Sequence, residues 1–90
     1  MIKGKTTVKN KSGLHLRPAS ELAAIAGKLG SKITLVAGDK TVDPRSILIL
    51  MGAGIRKGTE VEIICEGDTE EEDLKIMLDA IDSGFGEGIE

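Results

Sequence analysis

An α+β fold, a two-layer β-sandwich with one sheet and helices on a single face, is the fold class this sequence predicts. Two observations predict it. The apolar period switches between two and three-to-four along the chain, in the order β-α-β-β-α-β-α. Each segment is also apolar on one side only, which one sheet covered by one helical layer satisfies. Ninety residues leave room for one domain and one core.

Residues 2–9 alternate loosely, with Ile2, Thr6 and Val8 opposite Lys3, Lys5, Thr7 and Lys9, as in a half-exposed strand. Lys11-Ser12-Gly13 breaks the pattern as a loop. After Pro18 the stripe Leu22, Ile25, Ala26 and Leu29 predicts a helix of about three turns. Ala19, Ala23 and Ala24 add helix propensity and allow close approach, and Gly30 is placed to stop it.

Residues 32–36 form a second strand with Ile33 and Leu35 inward. The turn residues Ala37-Gly38-Asp39-Lys40 lead into a short strand over 40–42, a hairpin that Asp43-Pro44 ends. Ser46 precedes five apolar residues, Ile47 to Met51, with Gly52 and Gly54 behind. Serine as N-cap and glycine as stop favour a short helix there. Such a helix cannot bury every side, so part of it is a candidate contact patch.

Residues 59–66 alternate again, with Val61, Ile63 and Cys65 inward, Glu60, Glu62 and Glu66 outward, and Ile64 out of step. Thr69 with Glu72 has the form of a capping box, and acids fill the first turn of a last helix. Leu74, Met77, Leu78 and Ile81 are its stripe. Gly84 ends it, and the glycine-rich tail from about residue 85 is expected to be loose.

Composition excludes several functions. The net charge is −3 and Phe85 is the only aromatic residue, so neither a phosphate-binding basic block nor a base-stacking platform is present. Direct nucleic-acid binding is therefore not expected. Cys65 is the single cysteine, so no internal disulfide can form, and its apolar strand predicts a buried, inert thiol. No ligand spacing for a metal and no cofactor motif appears. No apolar run approaches the ~20 residues that span a bilayer. The first residues also lack the apolar centre of a signal peptide, so a cytoplasmic protein is expected.

The chemistry concentrates in Gly13-Leu14-His15-Leu16-Arg17-Pro18-Ala19-Ser20, which holds the only histidine. Pro18 fits only the first turn of the helix it opens. His15 therefore stands at or just before the helix N-terminus, where backbone N–H groups and the dipole favour an anion. Residue types alone leave open whether His15 or Arg17 is the cap. They equally allow a histidine that merely decorates a helix end.

The motif resembles the active site of HPr, the histidine-containing phosphocarrier of the bacterial sugar phosphotransferase system. Lys40-Thr41-Val42 and Ser46-Ile47-Leu48, followed by Met51 and Gly54, resemble the second motif of that family. Gly58, Val61-Glu62-Ile63 and Glu66-Gly67-Asp68 match its last strand and turn. The resemblance implies an open-faced β-sandwich whose four-stranded antiparallel sheet has the order 1-4-2-3. It implies that His15 accepts phosphate on Nδ1 from phospho-enzyme I, itself charged by phosphoenolpyruvate. The phosphate would then pass to sugar-specific IIA domains, with Arg17 and Pro18 stabilising it.

The protein so implied is a stoichiometric, monomeric carrier rather than an enzyme. The resemblance also implies regulation at Ser46 by an HPr kinase/phosphorylase. Its docking surface would comprise Leu16, Ser20 and Ala24 on the first helix, with Ile47, Leu48 and Met51 on the second. Leu16, Ile49 and Pro44 depart from the usual pattern of the family and bear on partner choice. The alternative is an HPr-like regulatory module that acts through phosphorylated Ser46 on a LacI-type transcription factor. A small metal- or nucleotide-binding domain lacks the ligand spacing or glycine-rich loop it would need.

Overall fold

The computed structural model describes residues 1–86. Its elements follow the predicted order: β1 (Ile2–Thr7), α1 (Leu16–Lys28), β2 (Lys32–Ala37), β3 (Lys40–Val42), α2 (Ile47–Gly52), β4 (Glu60–Glu66) and α3 (Glu70–Asp82). A 3-10 turn over Gly84–Gly86 closes the described chain. The sheet order is β1-β4-β2-β3 with every neighbouring pair antiparallel. This is the open-faced sandwich that the motif resemblance implies. β1 and β2 run in the same direction with β4 between them, so α1 spans two parallel but non-adjacent strands.

The buried side chains come from one face of the sheet and from the inner sides of the helices. Ile33, Leu35, Val61, Ile63 and Cys65 line the sheet, and Leu22, Leu50, Met77 and Ile81 close the layer over them. Cys65 is buried as expected, and burial pushes its thiol pKa up, which leaves it unreactive. On the other face, Lys5 stands opposite Glu62 and Lys32 opposite Glu66 in a wet, charged ladder. Glu62 and Ile64 share that face and are half-buried, which explains the residue that broke the alternation. Among the described residues, no helix is long and apolar enough to cross a membrane.

Four details depart from the sequence pattern. In α1 the fully buried positions are Pro18, Ala19, Leu22 and Ala26, while Ile25 and, just beyond the helix, Leu29 are only half-buried. The alanines form the core contact because the helix lies close to its neighbours. Gly30 does not take a left-handed cap, since it is not among the glycines with positive φ. The Arg45 guanidinium instead donates to the Ser31 carbonyl at 2.9 Å, just beyond the helix end.

Thr69 is the N-cap of α3 but forms no capping box. Its φ and ψ of −111° and 29° lack the extended geometry a cap needs. Its hydroxyl instead donates to the Asp73 carboxylate at 2.8 Å, a charge-assisted hydrogen bond. Phe85 stands where the tail is expected to begin loosening, at about residue 85. It is 5% exposed, in a turn anchored by the left-handed Gly84. The rest of that expectation falls on 87–90, outside the described residues.

Candidate functional site

The loop before α1 is fixed by contacts to a segment much later in the chain. Gly13 adopts φ +65°, and a Cβ there would lie 2.4 Å from the Ile55 carbonyl oxygen and 2.7 Å from the Arg56 Cα. Only glycine fits. The Leu14 N–H donates to the same Ile55 carbonyl at 3.0 Å, and the Leu14 side chain is buried in the core. From the other side the Asn10 amide donates to the Gly13 carbonyl at 2.6 Å. The next residue, His15, is exposed on a rigid support.

His15 is the N-cap of α1, with extended φ −81° and ψ −169°, which settles what residue types left open. Its side chain makes no cap hydrogen bond, while its carbonyl accepts from the Ala19 N–H at 2.9 Å. The helical positions that follow are Leu16, Arg17 and Pro18. Proline therefore falls in the first turn, where an N–H has no intrahelical acceptor and its absence costs nothing. The imidazole thus projects from the positive end of a 13-residue helix. A group attached to it would meet the backbone N–H groups of that turn.

Arg17 is held in place by hydrogen bonds. Its Nη1 donates to Glu21 Oε1 at 2.7 Å, one turn along α1, and to the Phe85 carbonyl at 2.8 Å. The second contact was invisible in the sequence, because the tail reads as loose and Phe85 as an isolated aromatic. Pro18 is buried, Ser20 is half-buried with its hydroxyl donating to the Leu16 carbonyl at 2.7 Å, and Ala24 is exposed.

α2 packs against α1 and runs antiparallel to it. Arg45, before α2, reaches the Ser31 carbonyl beyond the end of α1, while Ile55, after α2, touches the loop at the start of α1. Pro44 is buried at the second position of a turn closed by the Ser46 N–H donating to the Asp43 carbonyl at 3.1 Å. That turn delivers Ser46 to the N-cap, where its hydroxyl accepts from the Ile49 N–H at 3.3 Å. α2 is about 9 Å long by its rise, so Ser46 stands one helix length from the end nearest His15. Leu16, Ile47, Leu48 and Met51 are all exposed, Leu16 by 61% and Leu48 by 81%.

Known proteins carry this arrangement over the whole chain. Residues 2–83 match the family model described as the PTS HPr component phosphorylation site. The chain belongs to the HPr family. The phosphocarrier protein HPr of Mycoplasma capricolum is 36% identical over 89 residues, covering 98% of this chain and 100% of that protein. The crystal structure of an HPr from Thermoanaerobacter tengcongensis superposes with a TM-score of 0.92 at 39% identity, over 99% of this chain and 100% of that one. A Mycoplasma histidine-containing phosphocarrier protein gives a TM-score of 0.85 at 34% identity, covering 97% and 100%. As an HPr protein, the chain is a stoichiometric phosphocarrier of the phosphotransferase system rather than an enzyme.

Proposed function

We propose that His15 is the residue that carries the phosphoryl group, taking it from phospho-enzyme I and passing it to sugar-specific IIA domains. The supporting observation is the exposed His15 side chain at the N-cap of α1, on a loop that Gly13 and Leu14 lock in place. In the accepting step the lone pair of neutral Nδ1 forms a P–N bond as the donor's bond to phosphorus breaks. In the donating step the same P–N bond breaks toward the acceptor. The helix N-terminus favours the phosphate by about 0.3–1 kcal/mol when exposed. Such a value suits a group in transit.

Arg17 adds charge-assisted hydrogen bonds to the phosphate. Pro18 sets the helix mouth. Leu16, Ser20, Ala24, Ile47, Leu48 and Met51 form the surface on which donor and acceptor dock in turn. Ser46 is a regulatory site for an HPr kinase/phosphorylase. A phosphate there would place about −1.5 to −2 charges beside an apolar docking patch and oppose docking.

Incubation with enzyme I and labelled phosphoenolpyruvate tests the relay. Acid-labile, base-stable label on the wild type that is absent from His15→Ala is the expected result. Failure of any enzyme I to label the wild type overturns it. For Ser46, ATP with HPr kinase should give acid-stable label that is lost in Ser46→Ala.

A further inference from the structure

The peptide unit between Gly13 and Leu14 is pinned at both of its polar ends. Its carbonyl oxygen accepts from the Asn10 side-chain amide at 2.6 Å. Its N–H donates to the Ile55 carbonyl at 3.0 Å. A peptide unit is planar, so these two ends cannot move independently. The plane ends at the Leu14 Cα, from which the chain passes directly to His15.

This pinning offsets a weakness of the loop. Glycine is required at 13, because a Cβ there would strike Ile55 and Arg56. Glycine is also the residue whose backbone turns most freely. One hydrogen bond would leave the plane able to swing about it, whereas two at opposite ends fix it.

Asn10 is placed for this task and for little else. It is fully buried, and a buried amide is unfavourable unless it is hydrogen-bonded. Val8 and Leu14 beside it in the chain belong to the apolar core, so packing alone would favour an apolar side chain. The group facing the amide is a carbonyl oxygen, which only a donor can satisfy. The Gly13 N–H also donates to the Asn10 carbonyl at 3.1 Å, so residue 10 closes this turn twice. The opposing segment is tied to the same strand end. There the Gly58 N–H donates to the Val8 carbonyl at 2.8 Å, and the Val8 N–H to the Thr59 carbonyl at 2.9 Å.

We propose that Asn10 is a positioning residue for phosphoryl transfer, its amide orienting the Gly13–Leu14 peptide and through it the His15 imidazole. The inference rests on the phosphate relay through His15. Asn10 acts through the backbone and makes no bond to phosphorus.

Steady-state phosphotransfer from phospho-enzyme I, with this protein as the varied substrate, tests it. Asn10→Asp keeps the shape but offers no donor when ionised, and Asn10→Ala removes the amide altogether. Each should lower kcat about tenfold, since a loosened nucleophile is less often aligned. KM should stay within about twofold, the mark of an interaction that serves the transfer step. Asn10→Ser, a donor on a shorter arm, should fall between wild type and alanine. Circular dichroism verifies folding, and the alanine and serine variants carry the test if the buried carboxylate prevents it. Asp73→Asn is the control for stability alone. It weakens the contact to Ser31, one length of α1 or about 20 Å from His15, and should transfer at the wild-type rate. Exchange of the Leu14 amide should quicken about tenfold in Asn10→Ala.

Wild-type kcat in the Asn10 variants overturns the proposal. So does a loss carried by KM alone, which would make residue 10 part of docking. An equal loss in Asp73→Asn would reduce the effect to general stability and overturn it too, as would unchanged Leu14 exchange. Each of these outcomes keeps label on His15 and leaves the relay standing. Absence of label on the wild type defeats the relay itself.

Discussion

A single carboxylate oxygen of Asp73 binds both the backbone N–H and the hydroxyl of Ser31, at 3.0 and 2.5 Å, across 42 residues of sequence. The Thr69 hydroxyl donates to the same oxygen. Asp73 is 3% exposed, so this clamp joins the first turn of α3 to the start of β2 inside the molecule. The Ser31 hydroxyl, above all, holds the Asp73 carboxyl below its ordinary pKa, with the Thr69 hydroxyl and the Ser31 amide adding to it.

The clamp makes stability depend on pH in a defined direction. A carboxyl whose pKa is lower folded than unfolded stabilises the fold fully above its ordinary value, 3.8 for Asp73, and loses that contribution as pH falls through the depressed folded value. Asp82, whose carboxylate accepts from the Thr6 hydroxyl and from Lys9, adds in the same sense. Urea midpoints should therefore be flat near neutral pH and drop below about pH 4. Asp73→Asn should lower Tm at pH 7 by several degrees, on the order of 5 °C, and flatten the acid limb.

Gly13 should tolerate no side chain. In Gly13→Ala the new methyl collides with the backbone at Ile55 and Arg56 and holds an unfavourable left-handed φ. A loss of about 2 kcal/mol or more is expected in chemical denaturation. The rate of His15 labelling should fall with it, because the displaced loop carries the histidine.

Phe85 combines a buried ring with a left-handed backbone, φ 54°. Truncation to alanine removes the ring but keeps the strain, and should cost about 3 kcal/mol. Glycine loses the same ring and relieves the backbone, so Phe85→Gly should be the more stable of the two by about 1 kcal/mol. Equal midpoints would mean that the strain contributes nothing.

Ser46→Ala should remove the cap on the Ile49 N–H and destabilise the protein by about 1 kcal/mol, with Ser46→Gly milder. Both can be read from thermal melts. The kinase assay then separates a serine that only caps from one that also switches.

The periodic parts of the fold were legible because each strand and helix buries one face, and that face writes its period into the chain. Ile33, Leu35, Val61 and Ile63 are examples. The first motif was legible because glycine, histidine and proline each have a narrow structural reason to stand where they do. Long-range polar contacts were not. Asp73 reads as one of four acids in a first turn, and nothing local distinguishes it from exposed Glu71 and Glu72. Its role appears only when β2 brings Ser31 alongside. The Arg17–Phe85 contact was hidden for the same reason, and so was the use of alanine as core in α1, where the spacing of neighbouring elements decides burial.

The support of His15 by Ile55 and Arg56 has a consequence for the newborn chain. The loop that carries His15 is made early, but the backbone that fixes it leaves the ribosome some forty residues later. A nascent fragment ending before α2 carries the whole first motif and the Asn10 contacts to Gly13, but lacks the Ile55 carbonyl that receives the Leu14 N–H. The site is therefore completed only when the segment after α2 folds back across the molecule, a non-local closure that comes late.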